Sequence, residues 1–137
     1  MQHLIFDAQC IALEHPEGLC HLVGLADSEF DTHHYLMLQR DWENDGESDA
    51  QDQALGMDSY HAEYGGAQHA GGYGGIARCV LTPQAMQLVF DPSGPQAAGG
   101  VGSMDIRYRL DAARYAALQQ ALEAIFAGTD CLQVRAA

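Results

Sequence analysis

Apolar and polar positions alternate at the two-residue period of β-strands through most of this chain, and at the helical period only near its end. Residues 3–13 mix alternation with short apolar runs and carry no helix cap, so they read as a strand. His15-Pro16-Glu17-Gly18 is a turn. Residues 19–25 set Leu19, His21, Val23 and Leu25 against Cys20, Leu22 and Gly24, a second short strand. Residues 33–39 are a third, with Tyr35, Met37 and Gln39 on one face and Leu36 and Leu38 on the other. Residues 59–64 predict a strand with Tyr60, Ala62 and Tyr64 on one face. Residues 76–81 and 86–90 predict a hairpin across the short link 82–85. Residues 104–110 alternate strictly, with Met104, Ile106, Tyr108 and Leu110 inside and Asp105, Arg107 and Arg109 outside.

The helical period belongs to residues 112–127. Asp111 stands as N-cap and Gly128 as terminator, and the interior is rich in alanine, the best helix former. Tyr115, Leu118, Leu122, Ile125 and Phe126 make one apolar stripe. Residues 131–134 read as a last short strand or a frayed tail. The connections differ in kind. Residues 65–75 hold six glycines and read as a loop or an irregular edge. Residues 91–102 are rich in proline and glycine and read as a loop. About seven short strands followed by one long helix predict an α+β fold, a mostly antiparallel sheet with the helix packed on it. No repeat or linker divides the chain, so residues 1–137 are expected to form a single domain.

Charge narrows the function. Six arginines, no lysine and 19 acids give a net charge of −13. That field repels nucleic acid and anionic membrane, and attracts basic proteins or cations. No apolar run approaches the ~20 residues of a membrane helix, and the first residues lack the basic start of a signal peptide. A soluble, cytoplasmic protein is expected. The cysteines at 10, 20, 79 and 131 have no CxxC spacing and read as small buried hydrophobes rather than ligands or a redox pair.

The acids are concentrated. Residues 41–58 contain Asp41, Glu43, Asp45, Glu47, Asp49, Asp52 and Asp58 with no cation, so the segment must be exposed. Residues 41–52 match much of a calcium-loop template, with acids at positions 1, 3, 5, 9 and 12 and glycine at 6. The match is imperfect: position 12 is aspartate, position 8 is Ser48, and a strand rather than a helix precedes it. An acidic surface for a basic protein, with Trp42 as an aromatic anchor, is the competing reading.

Enzyme signals are weak. None of the seven histidines forms HxxxH or HExxH, and His61 with Glu63 is the one His–carboxylate pair that strand spacing supports. The run Gly71-Gly72-Tyr73-Gly74-Gly75 lacks the lysine and following helix of a phosphate loop. No serine lies in GxSxG, and no cysteine has a cationic neighbour to make a thiolate. No catalytic group, resident metal or cofactor is expected.

Three phrases resemble a known family. Tyr35-Leu36-Met37-Leu38-Gln39-Arg40 precedes the acidic segment. Asp49-Ala50-Gln51-Asp52-Gln53-Ala54-Leu55-Gly56-Met57-Asp58-Ser59-Tyr60 follows, with Glu63 behind it, and then Gly72-Tyr73-Gly74-Gly75-Ile76. Together they are similar to immunity protein family 10, small bacterial α+β proteins of polymorphic toxin systems. The resemblance implies a binding protein that occludes a cognate toxin, which a −13 chain would attract if the toxin is basic. It implies packing roles for Leu36, Leu38, Leu55 and Met57, and backbone roles for Gly56, Gly74 and Gly75. Asp41, Trp42, Glu43, Asp45, Glu47, Asp49, Asp52 and Asp58 are the expected partner-binding residues, followed by Tyr60, His61, Glu63 and Tyr73. Arg40 is expected to be an internal counter-charge. The alternatives are a calcium-binding module on 41–52 and, last, an enzyme using His61 and Glu63.

Overall fold

The computed structural model describes residues 2–14, 20–28, 33–41, 60–65 and 69–136. In chain order these hold β1 (Gln2–Asp7), β2 (Cys10–Glu14), β3 (Cys20–Ala26), β4 (Tyr35–Asp41), β5 (His61–Gly65), β6 (Ala70–Tyr73), β7 (Ile76–Leu81), β8 (Ala85–Phe90), β9 (Val101–Arg107), helix α1 (Ala112–Ile125) and β10 (Leu132–Val134). The α+β expectation holds, but the described strands number ten and form two sheets. Sheet I runs β1-β9-β8-β7-β10, and sheet II runs β2-β3-β4-β5-β6. All pairings are antiparallel except β1 with β9 and β10 with β7.

The first predicted strand is therefore two. The chain changes sheets at Ala8 and Gln9, whose N–H groups donate to Arg107 of sheet I and Ala26 of sheet II respectively. The glycine-rich run contributes the edge strand β6, and residues 95–99 within the predicted loop form a 3-10 turn (Pro95–Gly99). The predicted hairpin is present, with the Thr82 N–H donating to the Ala85 carbonyl across its link.

Alternation decides which face is buried. Val23, Leu25, Leu36, Leu38, Ala62 and Tyr64 share the inner face of sheet II. Sheet I turns in Phe6, Cys79, Leu81, Met86, Leu88, Met104 and Ile106. Helix α1 adds Leu118, Leu122 and Ile125, followed by Phe126, and all of these belong to one core. Each large side chain so buried favours folding by roughly 1.5–3 kcal/mol. Asp111 caps the helix by accepting the Arg114 N–H at 2.8 Å.

Candidate protein-docking site

The acidic segment has two described stems. Antiparallel β4 and β5 pair Gln39 with His61, so the chain leaves at the end of β4 and returns beside it. Arg40 shares the inner face with Leu36 and Leu38 and donates from Nη1 to the carbonyls of Ile125 (3.2 Å) and Ala127 (2.6 Å). These acceptors lie at the C-terminus of α1, where orphaned carbonyls concentrate negative potential. The observed partner of Arg40 is thus the helix end, and the acids it was expected to counter lie outside the described side chains. At the returning stem, Tyr60 sets its ring edge-on to Phe126 at 4.9 Å between centroids. Both stems are therefore fastened at one corner, the end of α1.

The glycine phrase completes that corner. The Gly74 N–H donates to the Tyr60 carbonyl at 2.8 Å, and the Ile76 N–H donates to the Tyr60 hydroxyl at 3.0 Å. Gly74 and Gly75 both take the left-handed conformation, at φ 70° and 93°. Gln96, fully buried, donates from Nε2 to the carbonyls of Gly74 (2.8 Å) and Ala62 (3.1 Å). Its Oε1 lies where a Cβ on Gly75 would stand. The two glycines thus serve backbone geometry, as the resemblance implied.

The outer face of sheet II is differently made. Register puts Cys10 and Ala12, then Gly24 and Ala26, then Tyr35 and Met37 on it, followed by His61 and Glu63 of β5 and Tyr73 of β6. Ala12, Gly24 and Ala26 carry at most a methyl group, and a shallow hollow of about 660 Å³ lies over them between Cys10, Tyr35 and Met37. Beside it Tyr35 donates from its hydroxyl to Glu63 Oε2 at 3.2 Å. The Tyr35 ring lies over Gly65, where a Cβ would collide with it, and the Glu63 stem lies over Gly71, where a Cβ would approach to 2.6 Å. Burial, with the Glu63 charge and hydrogen bond behind it, pushes the Tyr35 hydroxyl pKa above its ordinary value.

Of the expected contact residues, Asp41 ends β4, and its side chain lies outside the described residues. Trp42, Glu43, Asp45, Glu47, Asp49, Asp52 and Asp58 lie outside them too, and with them the calcium template and Leu55, Gly56 and Met57. Tyr60 is 3% exposed; its side chain is committed to the core, so it has no surface to offer a partner. Its alternation with buried Ala62 and Tyr64 carried that signal. Glu63 is half-buried on the outer face, and Tyr73 is 41% exposed with His61 edge-on against it. Tyr35 and Met37, on the alternating outer face of β4, join the site although they were not among the expected contacts.

Burial raises the Cys79 thiol pKa to about 12, with nearby Cys131 adding to the rise, which leaves no ready thiolate there. Among the described residues no three His, Cys, Asp or Glu side chains gather in a group that could hold a metal ion. No described helix is long and apolar enough to cross a membrane.

The family model described as Immunity protein 10 matches residues 7–116. No curated protein and no solved structure matches the chain.

Proposed function

The chain belongs to the Immunity protein 10 family, and from that premise we propose that it neutralises a cognate toxin by stoichiometric binding through an acidic surface. The family gives the immunity role; the docking mechanism is our reading. The observation that carries it is the anchoring of the acidic segment. Arg40 and Tyr60 fasten its two stems to the end of α1, and the sequence between them carries seven carboxylates. Charge concentrated in one place steers a basic partner and sets its orientation before contact. The protein acts as one domain, and no catalytic step is required: a pre-folded surface covers the toxin's working site.

The test replaces Asp45, Glu47, Asp49 and Asp52 together by Asn or Gln in the full chain. The cognate toxin, inactivated, is the probe. Association should slow by about tenfold or more at low salt, and the remaining rate should lose most of its salt dependence. Unchanged association kinetics would move the interface away from the acidic segment.

A further inference from the structure

We infer that the outer face of sheet II is the surface on which the partner sits, with an arginine or lysine of a basic protein seated on Glu63 and a neighbouring side chain filling the hollow over Ala12, Gly24 and Ala26. This rests on the toxin-binding reading above and deepens it.

The face is prepared for a cation. Glu63 is held by the Tyr35 hydroxyl, and both side chains lie along the sheet because glycines occupy the positions opposite them. A carboxylate already ordered loses little freedom on binding. The Tyr35 ring beside it offers a π face to a guanidinium. Among the described side chains of this face Glu63 is the one carboxylate, and none of the six arginines belongs to it. Arg114 comes nearest, at the rim of the hollow, where its Nη2 donates to the Ile11 carbonyl.

Charge complementarity names the occupant. On the outer face of sheet I Arg107 pairs with Asp7 at 3.2 Å. Among the described residues no arginine pairs with Glu63, and the whole chain carries −13. The face is also continuous with the acidic segment. The alternation Tyr35, Met37, Gln39 along β4 reaches Asp41 at its next register position, where that segment departs. A basic partner steered to the segment would therefore meet this face beside it. The hollow supplies what charge lacks, a shaped apolar floor beside an ordered polar group, the composition of an energetic centre in an interface.

The test titrates the same inactivated toxin with the wild-type chain, Glu63→Gln, Ala12→Gln and Gln87→Ala. Glu63→Gln keeps shape and hydrogen bonding but removes the charge. Ala12→Gln fills the hollow from an exposed edge strand. Gln87→Ala is the control on the outer face of sheet I. Both sheet II variants should weaken binding by about tenfold or more while melting as wild type does, and the control should bind normally. If the toxin binds wild type and both sheet II variants equally, the face is wrong while the immunity reading stands. If the toxin does not bind wild type, the immunity reading falls and this inference with it. Should either variant melt early, Tyr35→Phe, which removes only the hydroxyl that orders Glu63, must weaken binding in its place, and full affinity there overturns the proposal.

Discussion

Arg40 Nη1 reaches the carbonyl oxygen of Ala127 at 2.6 Å, across 87 residues of sequence. The contact ties the strand that launches the acidic segment to the end of the helix that covers the same sheet. A cation here meets orphaned carbonyls in a part-buried site, where such contacts are most effective. Arg40→Met should cost about 1–2 kcal/mol in urea denaturation. Arg40→Lys should recover part of that loss, because charge returns without the planar fork. Equal stability of all three proteins would show that the contact contributes nothing.

The two left-handed glycines should respond unequally. A Cβ on Gly74 meets nothing within 4 Å, so Gly74→Ala carries the backbone cost alone, about 1–2 kcal/mol. On Gly75 the same atom collides with Gln96 Oε1, and the buried amide would have to leave its two carbonyls. Gly75→Ala should cost about 2–4 kcal/mol. Thermal melts of the two variants decide the order, and Gly74 as the more sensitive site would contradict it.

Tyr60→Phe separates fold from contact. Removing the hydroxyl leaves the buried Ile76 N–H without its acceptor, at a cost of about 1–3 kcal/mol. Toxin affinity of the folded variant should match wild type, since the ring is enclosed by the core. A variant that keeps wild-type stability but loses affinity would return Tyr60 to the interface.

Alkaline pH should loosen the fold. Cys79 is raised from 9.0 to about 12 and Tyr60 from 10.0 to about 12, in both cases first by burial. The folded state favours their neutral forms, so their contribution is complete below the unfolded values and is lost as pH climbs toward the folded ones. The melting temperature should be level near neutrality and fall above pH about 9. Cys131 is raised from 9.0 by burial as well, so with Cys79 and Cys131 both changed to Ala the fall should begin about one unit later, at the tyrosine range. An onset that does not move in that double variant would exonerate both thiols.

Much of this was legible locally. Asp111 announced the helix start because its cap acts within three residues, on the Arg114 N–H. The alternation Met104, Ile106, Tyr108 gave the inward face, and all three are buried. The change of sheet near Gln9 left a trace too. Leu4 and Phe6 turn inward at even positions, whereas Ile11 and Leu13 pack against the core at odd ones. A strand cannot change phase that way without a break. Which strand β1 would join was not written there, since β9 lies almost a hundred residues on.

The site was harder to read for the same reason. Acidic residues are conspicuous in a sequence whatever they touch. Arg40 stands beside them in the chain, yet its observed acceptors belong to a helix at the far end. The Tyr35–Glu63 pair and the hollow next to it exist only through register between strands. No local period encodes a glycine placed opposite a tyrosine.

The edges of sheet I are β1 and β10, the first and last described strands. Sheet II is written in one stretch between them, from Cys10 to Tyr73, yet its apolar face waits for α1. During synthesis the proposed docking face therefore emerges on a sheet whose reverse side is bare. β1 meanwhile hangs without β9. Sheet I gains its last described edge strand only once translation has run through Val134.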